Sequence, residues 1–163
     1  MEVGLGAHAE LTQAGIAAEA PLALSRPVEG LGEARFTLIQ LPPGQTPGFH
    51  SFLCQHHTRD LVWRPEYQQH AIGTVGIDSV LVGAQDATAY APLLEGLPVG
   101  FLPPDKSKGG RSAPLVTALR LKVKDRKRTA EALRSGGFAP SMLADGSVAV
   151  GADQAHGVSL IFA

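Results

Sequence analysis

Short runs of alternating apolar and polar residues punctuate this chain, with helix-like stretches between them. The clearest run sets Leu119, Leu121 and Val123 against Arg120, Lys122 and Lys124, which predicts a strand with one wet face. Asp125 then opens a helix to Arg134 that Gly136-Gly137 ends. Met142-Leu143 and Val148–Val150 flank Asp145-Gly146, and Asp-Gly is a strong turn signal, so they predict a hairpin. A last strand over Gly157–Phe162 completes the order β-α-β-β-β.

Upstream the pattern is less regular. Glu2–Gly15 predicts a short helix with Gly15 just past its end as the C-cap. Pro21–Arg26 reads as an extended piece closed by Pro27 and a turn at Gly30–Gly32. In Ala34–Leu41 both alternating sets carry apolar residues, which predicts a strand covered on both faces. Pro42-Pro43-Gly44 stops it, and Phe49–His57 resumes as a strand. Pro65 sits as at the first turn of a helix, and one turn to His70 would put Glu66 and His70 on one face. Thr74–Val82 predicts a third strand, with Val75, Ile77 and Ser79 opposite Gly76, Asp78 and Val80. A helix from the cap Asp86 to Gly96, shortened or kinked by Pro92, and a polar loop over Pro103–Gly110 follow.

Composition narrows the class. With 163 residues the chain holds one domain or two small packed modules. An apolar fraction of 44% and a charged fraction of 18% match an ordinary globular protein. A net charge of -1 argues against a nucleic-acid partner, and the cationic run Arg120–Arg128 reads as a solvated face. One cysteine rules out an internal disulfide and fits a reducing, cytoplasmic setting. No secretory leader is visible, and no apolar run reaches the roughly 18 residues of a membrane span.

Candidate chemistry concentrates between His50 and His70, which hold four of the six histidines, Cys54 and Trp63. Strand alternation would place His50, Phe52, Cys54 and His56 on one face, with His57 on the other. His56 and His57 read either as ligands and base or as a core histidine and an edge hydrogen bonder. Glu66 with His70 offers a carboxylate and an imidazole for a metal or for acid–base work, or else a plain surface pair. Trp63 could stack on a planar ligand or anchor a core. Cys54, with no basic neighbour, reads as a buried inert thiol. There is no Gly-rich phosphate loop, no G-x-S-x-G elbow and no C-x-x-C.

The run from Gly76, G-I-D-S-V-L-V-G-A-Q-D, and the run from Thr117 each give strand, Asp cap, helix and Gly break, one supersecondary unit apart. Ala9–Ile16 matches the helix-and-Gly part of the same unit. This repeat resembles the vicinal oxygen chelate superfamily, the glyoxalase-like proteins. The stretch F-L-C-Q-H-H-T-R-D-L-V-W-R-P-E-Y-Q-Q-H-A from Phe52, and H-G-V-S-L-I-F from His156, look like the signatures of one subgroup. The resemblance implies an α+β fold of repeated β-α-β-β-β modules whose curled mixed sheets enclose a cleft. It also implies a partial N-terminal module, 1–72, lacking its first strand, and paired modules over 73–163. The chain looks N-terminally short beside that subgroup, as if begun mid-module.

By the same resemblance the activity is that of a metal-assisted lyase, isomerase or ring-cleaving dioxygenase acting on a small oxygenated molecule. A divalent Mn, Fe, Zn or Ni would sit on His57, Glu66 and His70, with Glu66 and His70 as the catalytic pair and His56 and Trp63 against the ligand. Departures point another way. Ser79 and Ile161 stand where catalytic members place a ligating His and Glu, and both are poor metal ligands. Arg59 stands where the subgroup usually has Pro, and Ile72 where it has Asn. They keep open a non-catalytic, ligand-sequestering module, or a remnant completed in a homodimer.

Overall fold

The computed structural model describes residues 2–45, 49–84, 88–90, 99–102 and 115–163. Its architecture is mixed α+β with two sheets. The chain divides into two units, Met1–Pro65 with Ala89–Leu93, and Glu66–Thr88 with Leu94–Ala163.

The first unit opens with α1 (Glu2–Gln13). Gly15, at φ +74°, ends it: its N–H reaches the Thr12 carbonyl at 3.0 Å, and the Ile16 N–H reaches that of Leu11 at 2.9 Å. This is a Schellman cap, and the left-handed backbone explains the glycine. Three antiparallel strands follow in the order β1 (Leu22–Val28), β2 (Gly32–Gln40), β3 (Phe52–His56). β1 runs through Pro27 instead of stopping at it, because an edge strand tolerates a residue that cannot donate. β3 starts three residues later than the sequence pattern predicts.

α1 lies against β2 on the face that carries Thr37 and Ile39. On the opposite face Phe36 and Leu38 are only half-buried, and Leu22, Leu24 and Phe52 are exposed. The expectation that β2 is covered on both faces is therefore corrected: apolar residues on both sides of a strand do not by themselves supply a second layer.

The second unit is a six-stranded mixed sheet in the order β5-β4-β6-β9-β8-β7. Its strands are β4 (Thr74–Gly83), β5 (Val99–Leu102), β6 (Leu115–Val123), β7 (Ser141–Met142), β8 (Val148–Val150) and β9 (Ser159–Phe162). Helix α2 (Arg126–Ser135) follows β6, so the predicted β-α-β-β-β order is present. The Asp125 carboxylate accepts the N–H groups of Lys127 and Arg128 at 2.8 and 3.1 Å, an N-cap that contributes about 1 kcal/mol. At the far end Gly137 (φ +85°) and Phe138 repeat the Schellman pattern on Arg134 and Leu133. Ala130 and Leu133 of α2 pack on Val148, Val150 and Phe162, the core of this unit. The helix expected between Asp86 and Gly96 and the loop Pro103–Gly110 lie outside the described residues, apart from a 3-10 turn at Thr88–Tyr90.

Candidate functional site

The N-terminal sheet carries a cavity of about 560 Å³ on its α1 side. β2 contributes Thr37 and Ile39, β3 the run Leu53–His56, and α1 contributes Ala7. Cross-strand pairing of Thr37 with Gln55 and Ile39 with Leu53 puts these four side chains on one face and makes the floor. The wall comes from the turn after β3. There the N–H groups of Val62 and Trp63 both return to the Arg59 carbonyl, at 3.1 and 2.8 Å. This winds one helical turn and brings residues four apart onto the same side. The Arg59 guanidinium consequently lies 4.9 Å from the centre of the Trp63 ring, an exposed cation–π contact worth about 0.5–1 kcal/mol.

The two adjacent histidines point apart. His56 ends β3, and its ring meets Phe36 edge-on at 5.0 Å on the face away from Thr37. His57 lies just past the strand; its N–H still reaches the Arg35 carbonyl at 2.9 Å, and its Nε2 is 2.7 Å from Thr37 Oγ1. The Thr58 hydroxyl accepts the Arg35 N–H at 2.8 Å and fixes the end of β3. Two polar atoms here are buried without a hydrogen-bond partner, Gln55 Oε1 and His56 Nδ1. An unmet buried group of this kind costs about 1–3 kcal/mol, which is the type of debt a bound molecule can remove.

Of the two readings of Trp63, the core anchor is excluded: it is 53% exposed and walls the cavity. Two expectations are corrected. Cys54 is exposed, not buried, because its face of the sheet is open. The helical turn to His70 does not form. Pro65–Tyr67 is a single 3-10 turn, and Glu66–His70 are all exposed, so no apolar face offsets the cost of a helix nucleus. Glu66 and His70 are thus not stacked at helical spacing; His70 Nδ1 instead lies 3.4 Å from the Ile72 N–H. Arg59, Gln55 and Thr37 were missed as cavity residues. The Arg59–Trp63 spacing of four was the available signal.

Against this geometry, the comparisons are specific. A family model described as a glyoxalase-like domain matches residues 6–97, more than half of the sequence. The chain belongs to the glyoxalase-like domain family. Among solved structures, this glyoxalase-like chain is similar to a hypothetical protein from Staphylococcus aureus, with 11% identity and a TM-score of 0.56. That alignment covers 97% of this chain and 61% of the other, and it supports the fold alone. No curated protein matches.

The two positions that the sequence resemblance sets against metal donors, Ser79 and Ile161, lie on the second sheet. Ser79 pairs with Arg120 across β4 and β6, and Arg120 with Ile161 across β6 and β9, so the three form one row. Where a glyoxalase-like metal would need donors, the row offers a hydroxyl, a guanidinium and an alkyl chain. Arg120 is held by Asp145 at 2.7 Å and by Asp78 at 3.5 Å, and Lys122 also meets Asp78 at 3.7 Å. These residues do not fit a divalent cation, since a fixed positive charge occupies the middle of the row. Among the described residues, no three His, Cys, Asp or Glu side chains are grouped to hold a metal. No helix among them is long and apolar enough to cross a membrane.

Proposed function

We propose that this glyoxalase-like chain binds a small oxygenated organic molecule in the cavity of its N-terminal unit, as a binding module without metal chemistry. The observation that carries this reading is the cavity itself. Its 560 Å³ falls within the roughly 300–1,000 Å³ of small-molecule sites, and it pairs apolar surface with a few convergent polar groups. Ile39, Leu53 and Trp63 take the apolar body of the ligand. Thr37, held by His57, and Gln55 offer hydrogen bonds to its oxygens.

Ligand-observed NMR with a panel of small hydroxy and oxo compounds tests this. Binding should be present in the wild type and absent in Leu53→Trp, whose larger side chain fills the floor. Equal binding by both proteins refutes the assignment. The second reading is a metal-assisted lyase, isomerase or dioxygenase using His57, Glu66 and His70, and the family membership favours it. Calorimetric titration with Mn, Fe, Zn and Ni decides: tight binding lost in both His57→Ala and His70→Ala would replace the binding-module reading.

A further inference from the structure

The cavity's charge points to the class of ligand. Among its described lining residues Arg59 is the cation, and neither an aspartate nor a glutamate stands beside it in the lining. Among the described residues no carboxylate is ion-paired with Arg59. Its contact is with the Trp63 ring. A guanidinium lying over a ring engages its face and leaves its N–H edge free, and that edge matches a carboxylate with two parallel hydrogen bonds. The helical turn that pairs Arg59 with Trp63 holds the charge in place before any ligand arrives. Beyond this charged rim the floor is apolar, with Ile39 and Leu53, and the buried Gln55 Oε1 lacks a donor.

We propose that the cavity selects small organic carboxylates with an apolar or aromatic body. The carboxylate pairs with Arg59, the body lies along Ile39, Leu53 and Trp63, and a ligand hydroxyl meets the Gln55 amide once that amide rotates toward it. This rests on the cavity being a ligand site, as proposed above.

Trp63 is the sole tryptophan, so its emission reports occupancy directly. The probes are 4-hydroxybenzoate and its uncharged counterpart 4-hydroxybenzamide, each followed by Trp63 emission and by calorimetry. The carboxylate should bind more tightly by about tenfold or more, the factor expected for hydrogen bonds to a charged group. Arg59→Met should abolish that preference, bringing the carboxylate down to the affinity of the amide. Arg59→Lys should restore only part of it, because an ammonium keeps the charge but lacks the planar fork. Arg134→Met, at the end of α2, is the control for general loss of positive charge, and unchanged melting temperatures certify folding.

Equal affinity for the two probes, or an undiminished preference in Arg59→Met, overturns the carboxylate assignment while the cavity reading stands. A wild type that binds neither probe also overturns the carboxylate assignment, and the cavity reading is then decided by the wider panel of hydroxy and oxo compounds.

Discussion

Replacing Thr129 by Val isolates one hydroxyl in the core of the C-terminal unit. Thr129 is 0% exposed, and its Oγ1 lies 2.7 Å from the Ile72 carbonyl and 2.8 Å from that of Asp125. One proton serves two acceptors, but their dependence on it is unequal. The Asp125 carbonyl also receives the Thr129 N–H at 3.0 Å, whereas the bond to Ile72 ties α2 to the segment leading into β4. Valine keeps the branched shape, so no cavity opens, and the loss is that of the hydrogen bond to Ile72. Leaving one buried acceptor unmet costs about 1–3 kcal/mol. At about 2–4 °C per kcal/mol for a chain of this length, the melting temperature should fall by roughly 2–12 °C. Urea unfolding should show a lower midpoint with an unchanged slope, the mark of altered stability without altered compactness. Thr129→Ser separates the two parts of the side chain, since it keeps the hydroxyl and loses one methyl, worth about 1 kcal/mol. A Val variant as stable as the wild type would refute the argument and assign Thr129 to packing alone.

Two further outcomes follow from the same unit. The hydrogen bonds of Ser147, and after them Arg120, hold the Asp145 carboxyl well below the usual carboxylate range. A depressed value means that the stabilisation is present above the ordinary 3.8 and is lost as pH falls toward the folded value, so the melting-temperature gap between wild type and Asp145→Asn should be flat near neutrality and shrink in acid. A gap independent of pH into the acid range would exclude this linkage. Gly137, at φ +85°, should tolerate no side chain without strain: Gly137→Ala should lose about 1–2 kcal/mol in denaturant unfolding, and a neutral result would show that the Schellman cap of α2 relaxes freely.

The C-terminal half was readable because each of its signals is local. A strand with one wet face, the Asp125 cap, the Gly136-Gly137 stop and the Asp145-Gly146 turn act over a few residues, and the structure carries all four. The helix before Gly15 was readable for the same reason. What failed was whatever depends on distant neighbours. Whether Cys54 and Trp63 are buried is decided by what covers the sheet, and alternation reports only which residues share a face. Pro65 marks a helix start whether or not a helix has anything to bury, so the turn to His70 was over-read. The split of His56 from His57 was visible as a period of two. The cavity was not, since Thr37 and Gln55 meet only through the register of β2 on β3, and Arg59 became visible only as the partner of Trp63.

That register has a consequence for how this family can vary. Phe36 sits opposite His56 and Leu38 opposite Cys54, and the strand end is pinned by the Thr58 hydroxyl and the His57 N–H on either side of Arg35. Because side chains alternate, one residue gained or lost inside this segment would turn every following side chain to the opposite face. Phe52, Cys54 and His56 would exchange faces with Leu53 and Gln55, and the floor that Leu53 and Gln55 make with Ile39 and Thr37 would be lost. The stretch around β3 can therefore drift in composition, but its length is under constraint, and insertions or deletions should accumulate outside it.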